Sequence, residues 1–179
     1  MSSNPRLLAV KTLSKISNGA YSNLQLNQVI ENSDLSSRDI ALLTNIVYGV
    51  IQHRLTLEYQ LNHFLKNASK VDDWVKELLY SAIYQMEYLD KIPTRAVFNE
   101  TIKIAKKMGH DGIRRLVTGV LHQIERKGLP DFSDIDDPIK KLSIEYSISE
   151  WMIEELNKQV GEEKTLSILK SINQPSKQS

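Results

Sequence analysis

The chain has 179 residues, with 23 Lys and Arg against 22 Asp and Glu, 41% hydrophobic residues and no cysteine. This length suits one domain with or without an appendage, and the composition excludes global disorder, disulfide frameworks and thiolate metal sites. No apolar stretch approaches the roughly 18 residues of a membrane span. The N-terminus lacks the apolar core of a signal peptide, so we expect a cytoplasmic protein without membrane partners.

The net charge of +1 hides an uneven distribution of charged residues along the chain. Residues 1–30 carry three basic residues and no acid, and residues 100–127 carry seven basic residues against three acids. Residues 128–163, by contrast, carry ten acids against three basic residues. Such an asymmetry of sign is informative about binding partners rather than about fold.

Hydrophobic residues recur with a helical period in nearly every segment. Val75, Leu78, Leu79, Ala82 and Ile83, for example, are separated by the three- and four-residue steps that place side chains on one face of a helix. No stretch alternates with period two over enough residues for a sheet. The sequence therefore predicts an all-α fold.

Caps, prolines and glycines mark where these helices begin and end. Ser36 with Asp39 resembles a capping box, and Pro5 suits a first helical turn. In the first part of the chain, helices are predicted at about 5–17, 24–31, 94–109 and 112–127. A further helix begins at about 36, breaks near 54 and resumes to 65, and another begins at about 72.

The run from Gly128 to Pro138 is acidic and bounded by prolines, which is typical of a linker. Beyond it, Ser147 and Glu150 form a capping box for a helix that ends at Val160, and a final helix covers about 162–173. The predicted organisation is a helical domain at 1–127, an acidic linker at 128–137 and a second helical segment at 138–179.

The sequence contains no constellation of residues that indicates catalysis or metal binding. No two of the four histidines have the spacing that places two metal ligands on one helix face, so we expect solvated or capping roles for His53, His63, His110 and His122. Among the aromatic residues, Tyr48 and Tyr84 are expected in the core.

Gly109-His-Asp-Gly112 has the G-x-x-G spacing of some RNA-binding loops, but here it joins two predicted helices, and we interpret it as an interhelical turn. It leads into a helix N-terminus beside Arg114 and Arg115, where backbone amides are able to hold a phosphate.

Two basic helices give the strongest indication of a binding partner. Lys103, Lys106 and Lys107 share one helix face, while Arg115 and Arg126 lie opposite the apolar stripe of the next helix. Lysine and arginine at such positions neutralise nucleic-acid phosphates. An ordinary solvated face is the alternative, because any helix opposite a core is polar.

Seven short motifs occur in order along the first domain, namely Arg6-Leu-Leu-Ala9, Arg38-Asp39, Ile46-Val-Tyr-Gly49, Leu78-Leu79 with Ile83-Tyr-Gln85, Ile92-Pro93, Asn99-Glu100 with Ala105-Lys106, and Leu116-Val-Thr-Gly-Val-Leu121. Together they resemble the NusB-like helical domain. That domain is known from the transcription antitermination factor NusB and from the N-terminus of the RsmB/Sun family of 16S rRNA cytosine-C5 methyltransferases.

The second segment is similar to the helices that lead into the catalytic domain of those methyltransferases, on the basis of Tyr146-Ser-Ile-Ser-Glu-Trp-Met152, Gly161-Glu162 and Asn173-Gln-Pro175. The resemblance implies that the catalytic domain, with its S-adenosylmethionine site and its cysteine nucleophile, is not present in this chain. We therefore expect no cofactor and no catalytic residue here.

The function implied by the resemblance is that of an RNA-binding, substrate-positioning domain. Its partners would be 16S ribosomal RNA and the methyltransferase domain of the same protein, with RNA contacts at Arg6, Lys11, Lys15, Lys103, Lys106, Lys107, Arg114, Arg115, Arg126 and Lys127. One alternative is a NusB-type antitermination factor that binds RNA together with a ribosomal protein. Another is a domain that only docks against the catalytic domain.

Overall fold

The computed structural model describes residues 4–172, which form ten α-helices, one short 3-10 helix at Ala68–Lys70 and no strand. The helices are α1 Pro5–Ser17, α2 Ser22–Glu31, α3 Ser37–Gln52, α4 Arg54–Asn62, α5 Asp73–Tyr88, α6 Thr94–Met108, α7 Asp111–Lys127, α8 Pro138–Tyr146, α9 Glu150–Val160 and α10 Glu162–Ile172. The predicted all-α class is confirmed. Within the described range, no helix is both long and apolar enough to span a bilayer.

Helices α1–α7, which we call the bundle, are organised around α5. This helix packs against α1, α3, α4, α6 and α7. Its apolar side chains are almost completely buried, as the spacing in the sequence predicts: the exposed fraction is 1% or less at Val75, Leu78, Leu79, Ala82 and Ile83. A helix that is buried on several faces joins its neighbours into one shared core.

A partly buried ion pair joins α4 to α5. The two terminal guanidinium nitrogens of Arg54 donate hydrogen bonds of 2.9 and 2.6 Å to the two carboxylate oxygens of Glu77. The Glu77 side chain is only 3% exposed, and the Arg54 guanidinium also lies 5.3 Å from the centre of the Tyr80 ring. Bidentate geometry of this kind is what offsets the desolvation cost of a buried pair.

The predicted cap at Ser36 is present, because its hydroxyl accepts a hydrogen bond from the backbone amide of Asp39. The predicted capping box of Ser147 and Glu150 is wrong. Ser147 ends α8 in a left-handed conformation, with φ of 54°, and α9 begins after Ser149 instead. The Ser147 hydroxyl faces the bundle, where it accepts a 3.0 Å hydrogen bond from the backbone amide of Thr56.

Helices α8–α10, which we call the arm, are arranged in series. Helix α8 packs against α4 of the bundle, α9 against α8, and α10 against α9. Residues 128–137 connect bundle and arm without a helix. The predicted end of the last helix at Asn173, with residues 1–3 and 174–179, lies outside the described residues.

Candidate nucleic-acid interface

The basic residues of α6 lie on its exposed side. Lys103, Lys106 and Lys107 are all exposed. The amine of Lys103 lies 3.8 Å from the carboxylate of Glu100, whereas the other two lysines form no ion pair within residues 4–172. Because Lys106 and Lys107 are in the last turn of α6, the helix dipole also favours them there.

Helix α7 packs against α6 and carries basic residues at both of its ends. Arg126 and Lys127 are exposed in its last turn, where the helix dipole again stabilises positive charge. Arg114, near the other end, is half-buried and has its Nε 3.8 Å from the carboxylate of Asp111.

Arg115 differs from these basic residues. It is exposed just beyond the first turn of α7, where the dipole gives a positive charge no benefit, and it makes no ion pair with another described residue. Its charge is therefore not held by an ion pair with any described residue at this position, and its role in anion binding stays a prediction.

The three basic residues of α1 form a separate set. Lys11 and Lys15 are exposed, but Arg6 is half-buried, and its Nε donates a 2.7 Å hydrogen bond to the side-chain oxygen of Gln85 in the core. Helix α1 packs against α2, α3 and α5, whereas α6 and α7 pack against each other and against α5. The predicted contacts are thus divided between two sets of helices, and their role in RNA binding stays a prediction.

The turn at Gly109–Gly112 joins α6 to α7, as interpreted from the sequence. The ring nitrogen Nδ1 of His110 accepts a 3.1 Å hydrogen bond from the backbone amide of Gly112, so His110 has the capping role expected for a histidine. One of the backbone amides that we expected to hold a phosphate, that of Gly112, is therefore already satisfied by this cap.

One histidine departs from the expectation of solvated or capping roles, because His53 is the C-cap residue of α3 and the N-cap residue of α4 but its side chain makes no capping hydrogen bond. His53, between α3 and α4, is 7% exposed, and its ring is stacked on Tyr88 with 4.2 Å between the ring centres. Burial lowers the pKa of His53 and raises the pKa of Tyr88. The prediction fails because contacts from α5, which is distant in sequence, cover the ring.

The two tyrosines expected in the core have different environments. Tyr84 is buried, and its hydroxyl donates a hydrogen bond to the side-chain oxygen of Asn45. Tyr48 is 41% exposed, so the prediction for it is wrong. The core side of α3 is instead formed by Leu43, Ile46, Val47, Gly49 and Val50.

Sequence reasoning missed two polar residues between α4 and α5. Lys66 and Asn67 line a cleft whose other side is formed by Arg115 and Gln123 of α7. No local pattern marks Lys66 as a partner of Arg115, because only the packing of the loop against α7 brings them to one cleft. Within residues 4–172, no cluster of three or more His, Asp or Glu is arranged to hold a metal ion.

These features define an all-α bundle with a basic helix pair and a helical arm. The chain belongs to the NusB family, whose model matches residues 3–126. Over 106 residues, which are 58% of this chain and 82% of the relative, it is 32% identical to the transcription antitermination protein NusB of Bacillus velezensis.

A second relative is similar over a longer part of the chain. The probable ribosomal RNA small subunit methyltransferase B of Bacillus subtilis is 46% identical over 151 residues, which are 84% of this chain and 34% of the relative. The chain thus spans about a third of the length of that methyltransferase. The crystal structure of PH0851 is similar over 98% of this chain and 40% of the PH0851 chain, with a TM-score of 0.66 and 14% sequence identity. This similarity shows a shared fold alone.

Proposed function

We propose that this chain is the RNA-binding, substrate-positioning domain of an S-adenosylmethionine-dependent 16S rRNA cytosine-C5 methyltransferase that acts in the cytoplasm. The observation that carries the proposal is the extent of the methyltransferase similarity. An alignment of 151 residues is too long to fit within the bundle, so it continues into the arm. The NusB similarity, over 106 residues, is short enough to fit within the bundle alone.

In this proposal the basic residues hold the RNA through its phosphates. Lys106, Lys107 and Arg115 are exposed and have no ion-pair partner among residues 4–172, so they are available to neutralise phosphate charge. Such contacts fix the position of an RNA without reading its bases. In this proposal the bundle presents a target cytosine to the methyltransferase domain of the same protein, which would supply the cofactor site and the nucleophile.

The proposal is tested by titrating the protein with a fluorescently labelled helix of small-subunit rRNA between 50 and 200 mM salt. Each phosphate contact should contribute roughly −0.7 to −0.9 to the slope of log affinity against log salt concentration. Binding that is absent, or that does not depend on salt, contradicts the proposal.

A charge reversal with a matched control locates the RNA-binding surface. The double variant Lys106→Glu/Lys107→Glu should weaken RNA binding and reduce the steepness of the salt dependence by about one for each lysine. The control is Lys140→Glu/Lys141→Glu, which changes two adjacent exposed lysines on α8 by the same charge. Equal effects of the two double variants would show that the net charge, and not the α6–α7 surface, determines binding.

The similarity to NusB favours a second function, an antitermination factor that binds RNA together with a ribosomal protein. The DNA that follows the codon for Ser179 distinguishes the two. A cysteine-containing methyltransferase sequence supports the first function, and a stop codon favours the second. If the chain binds a separately expressed catalytic domain but no RNA, it is a docking domain, and both RNA-binding functions are wrong.

A further inference from the structure

A cleft separates α7 from the segment that connects α4 to α5. Its volume is about 340 Å³, within the range of pockets that hold small organic ligands. Phe64 and Leu65 on one side and Leu116 and Val120 on the other form its apolar part. Phe64 and Leu116 are half-buried and reach the surface within the cleft, so a flat apolar group is able to contact them.

The charged side chains that line this cleft are both positive. Lys66 and Arg115 are exposed on opposite sides of it, and neither has an ion-pair partner among the described residues. Two clefts beside residues 128–137 are lined by aspartates, at Asp134 with Asp136 and Asp137 and at Asp131 with Asp134, and a third combines Asp39 with Arg6 and Arg38. The charge of the α7 cleft is therefore complementary to an anion.

Two amide side chains provide further polar groups in the α7 cleft. Asn67 accepts a hydrogen bond of 3.2 Å from the hydroxyl of Ser69, which leaves its NH₂ group available as a donor. The amide of Gln123 makes no hydrogen bond to another described residue, so it offers both a donor and an acceptor. Amides of this kind are suited to the hydrogen-bonding edge of a nucleobase.

A glycine keeps the cleft open on the side of α7. A Cβ atom built at Gly119 meets no atom within 4 Å, so this helical position has space for a side chain that the residue does not provide. Glycine inside a helix costs roughly 0.5–1 kcal/mol relative to alanine. A side chain at position 119 would therefore stabilise the helix and fill the open space, and glycine does neither.

We propose that the α7 cleft binds one unpaired nucleotide of the RNA. The base lies against Phe64 and Leu116, the flanking phosphates contact Lys66 and Arg115, and Gln123 bonds to the base edge. Sequence-specific RNA recognition is generally directed at such unstacked nucleotides, because the bases of a helix are hidden in its narrow major groove. The inference rests on the proposed function and assigns a subsite to it.

The experiment compares two labelled RNAs, a 16-base-pair duplex and the same duplex with one unpaired adenosine in its centre. The wild-type chain should bind the bulged RNA about tenfold more tightly, the effect of stacking one base on an aromatic side chain. Gly119→Leu places an apolar side chain at this open position of the cleft, and should reduce the ratio of the two affinities to about one. The control Ala41→Leu adds similar apolar volume at an exposed position on α3 and should retain the preference.

The outcomes separate this inference from the function on which it rests. Equal binding of the two RNAs by the wild-type chain overturns the nucleotide subsite but leaves RNA binding established. A preference that survives in Gly119→Leu also overturns the subsite, because the unpaired nucleotide then binds elsewhere. Failure of the wild-type chain to bind either RNA overturns both the subsite and the proposed function.

Discussion

The bundle and the arm are both helical, but they are held together in different ways. In the bundle, buried hydrophobic side chains from all seven helices meet in one cluster around α5. In the described part of the arm, the buried apolar side chains are Ile153 and Leu169, α8 contacts α4 of the bundle as well as α9, and α10 contacts mainly α9. Elements with few buried contacts open at a lower free energy than a shared core, so we expect the arm to unfold locally before the bundle.

The largest expected difference between the two regions comes from removing one buried leucine from each. Leu79→Ala in α5 should lower the free energy of unfolding by about 2–5 kcal/mol, because the residual cavity lies in the shared core. Leu169→Ala in α10 should mainly accelerate hydrogen exchange in α9 and α10. Urea unfolding and hydrogen exchange measure the two effects, and equal shifts of the global transition would show that bundle and arm form one cooperative unit.

A smaller effect tests how tightly the bundle is packed. A Cβ atom at Gly49 would overlap the ring of Tyr84, which is held by Asn45 and stacked on Tyr88. Gly49→Ala should therefore destabilise the protein by about 1–3 kcal/mol, despite the higher helix propensity of alanine. Gly119→Ala is the control, and it should stabilise the protein by up to about 1 kcal/mol. If thermal unfolding shows both variants to be stabilised, the contact of α3 with α5 is looser than the structure indicates.

The joint between the regions is polar and should respond to the loss of one hydroxyl group. The Thr56 hydroxyl bonds to the carbonyl of Ile144 and lies 2.7 Å from the hydroxyl of Ser147. Thr56→Val should increase hydrogen exchange in α8–α10 about fivefold, since a partly buried hydrogen bond contributes roughly 1 kcal/mol. The control Thr12→Val removes a buried hydroxyl that bonds only within α1, to the carbonyl of Leu8, and should leave the arm unchanged. If neither variant changes hydrogen exchange in the arm, the hydrogen bonds of Thr56 do not stabilise the attachment of the arm to the bundle.

The smallest expected effect is a dependence of bundle stability on pH. The pKa of His53 is lower in the folded chain than its ordinary value of 6.5, because burial disfavours the charged ring. The unfolded chain therefore binds this proton more readily than the folded chain. The contribution of neutral His53 to the free energy of unfolding is fully present above pH 6.5 and is lost as the pH falls through the pKa of the folded state.

His53→Phe keeps an aromatic ring beside Tyr88 and removes the titrating group. Chemical denaturation between pH 7.5 and 5 should show that the wild type loses stability relative to the variant as the pH falls. The raised pKa values of Glu58 and Glu87, which burial also causes, affect both proteins and cancel in this comparison. A constant difference across the range would show that His53 is accessible to protons in the folded bundle.

The helices of this protein were largely predictable from its sequence, since they depend on local features. The predicted helix from 94 to 109 is Thr94–Met108 in the structure, and the one from 112 to 127 is Asp111–Lys127. The predictions for Ser147, His53 and Tyr48 failed because the environments of these residues depend on contacts that are distant in sequence. Each depends on which distant residues cover it, and a helical period does not contain that information.

By itself, the sequence determined the all-α class, most helix ends, the separation of basic and acidic segments, and the family resemblance. These features follow from hydrophobic period, capping residues and charge, all of which act between residues close in the chain. Only the tertiary structure decided that the arm attaches through Thr56, and that Lys66 lies across a cleft from Arg115. Such contacts arise when helices pack and their side chains interlock, and that fit exists only in three dimensions.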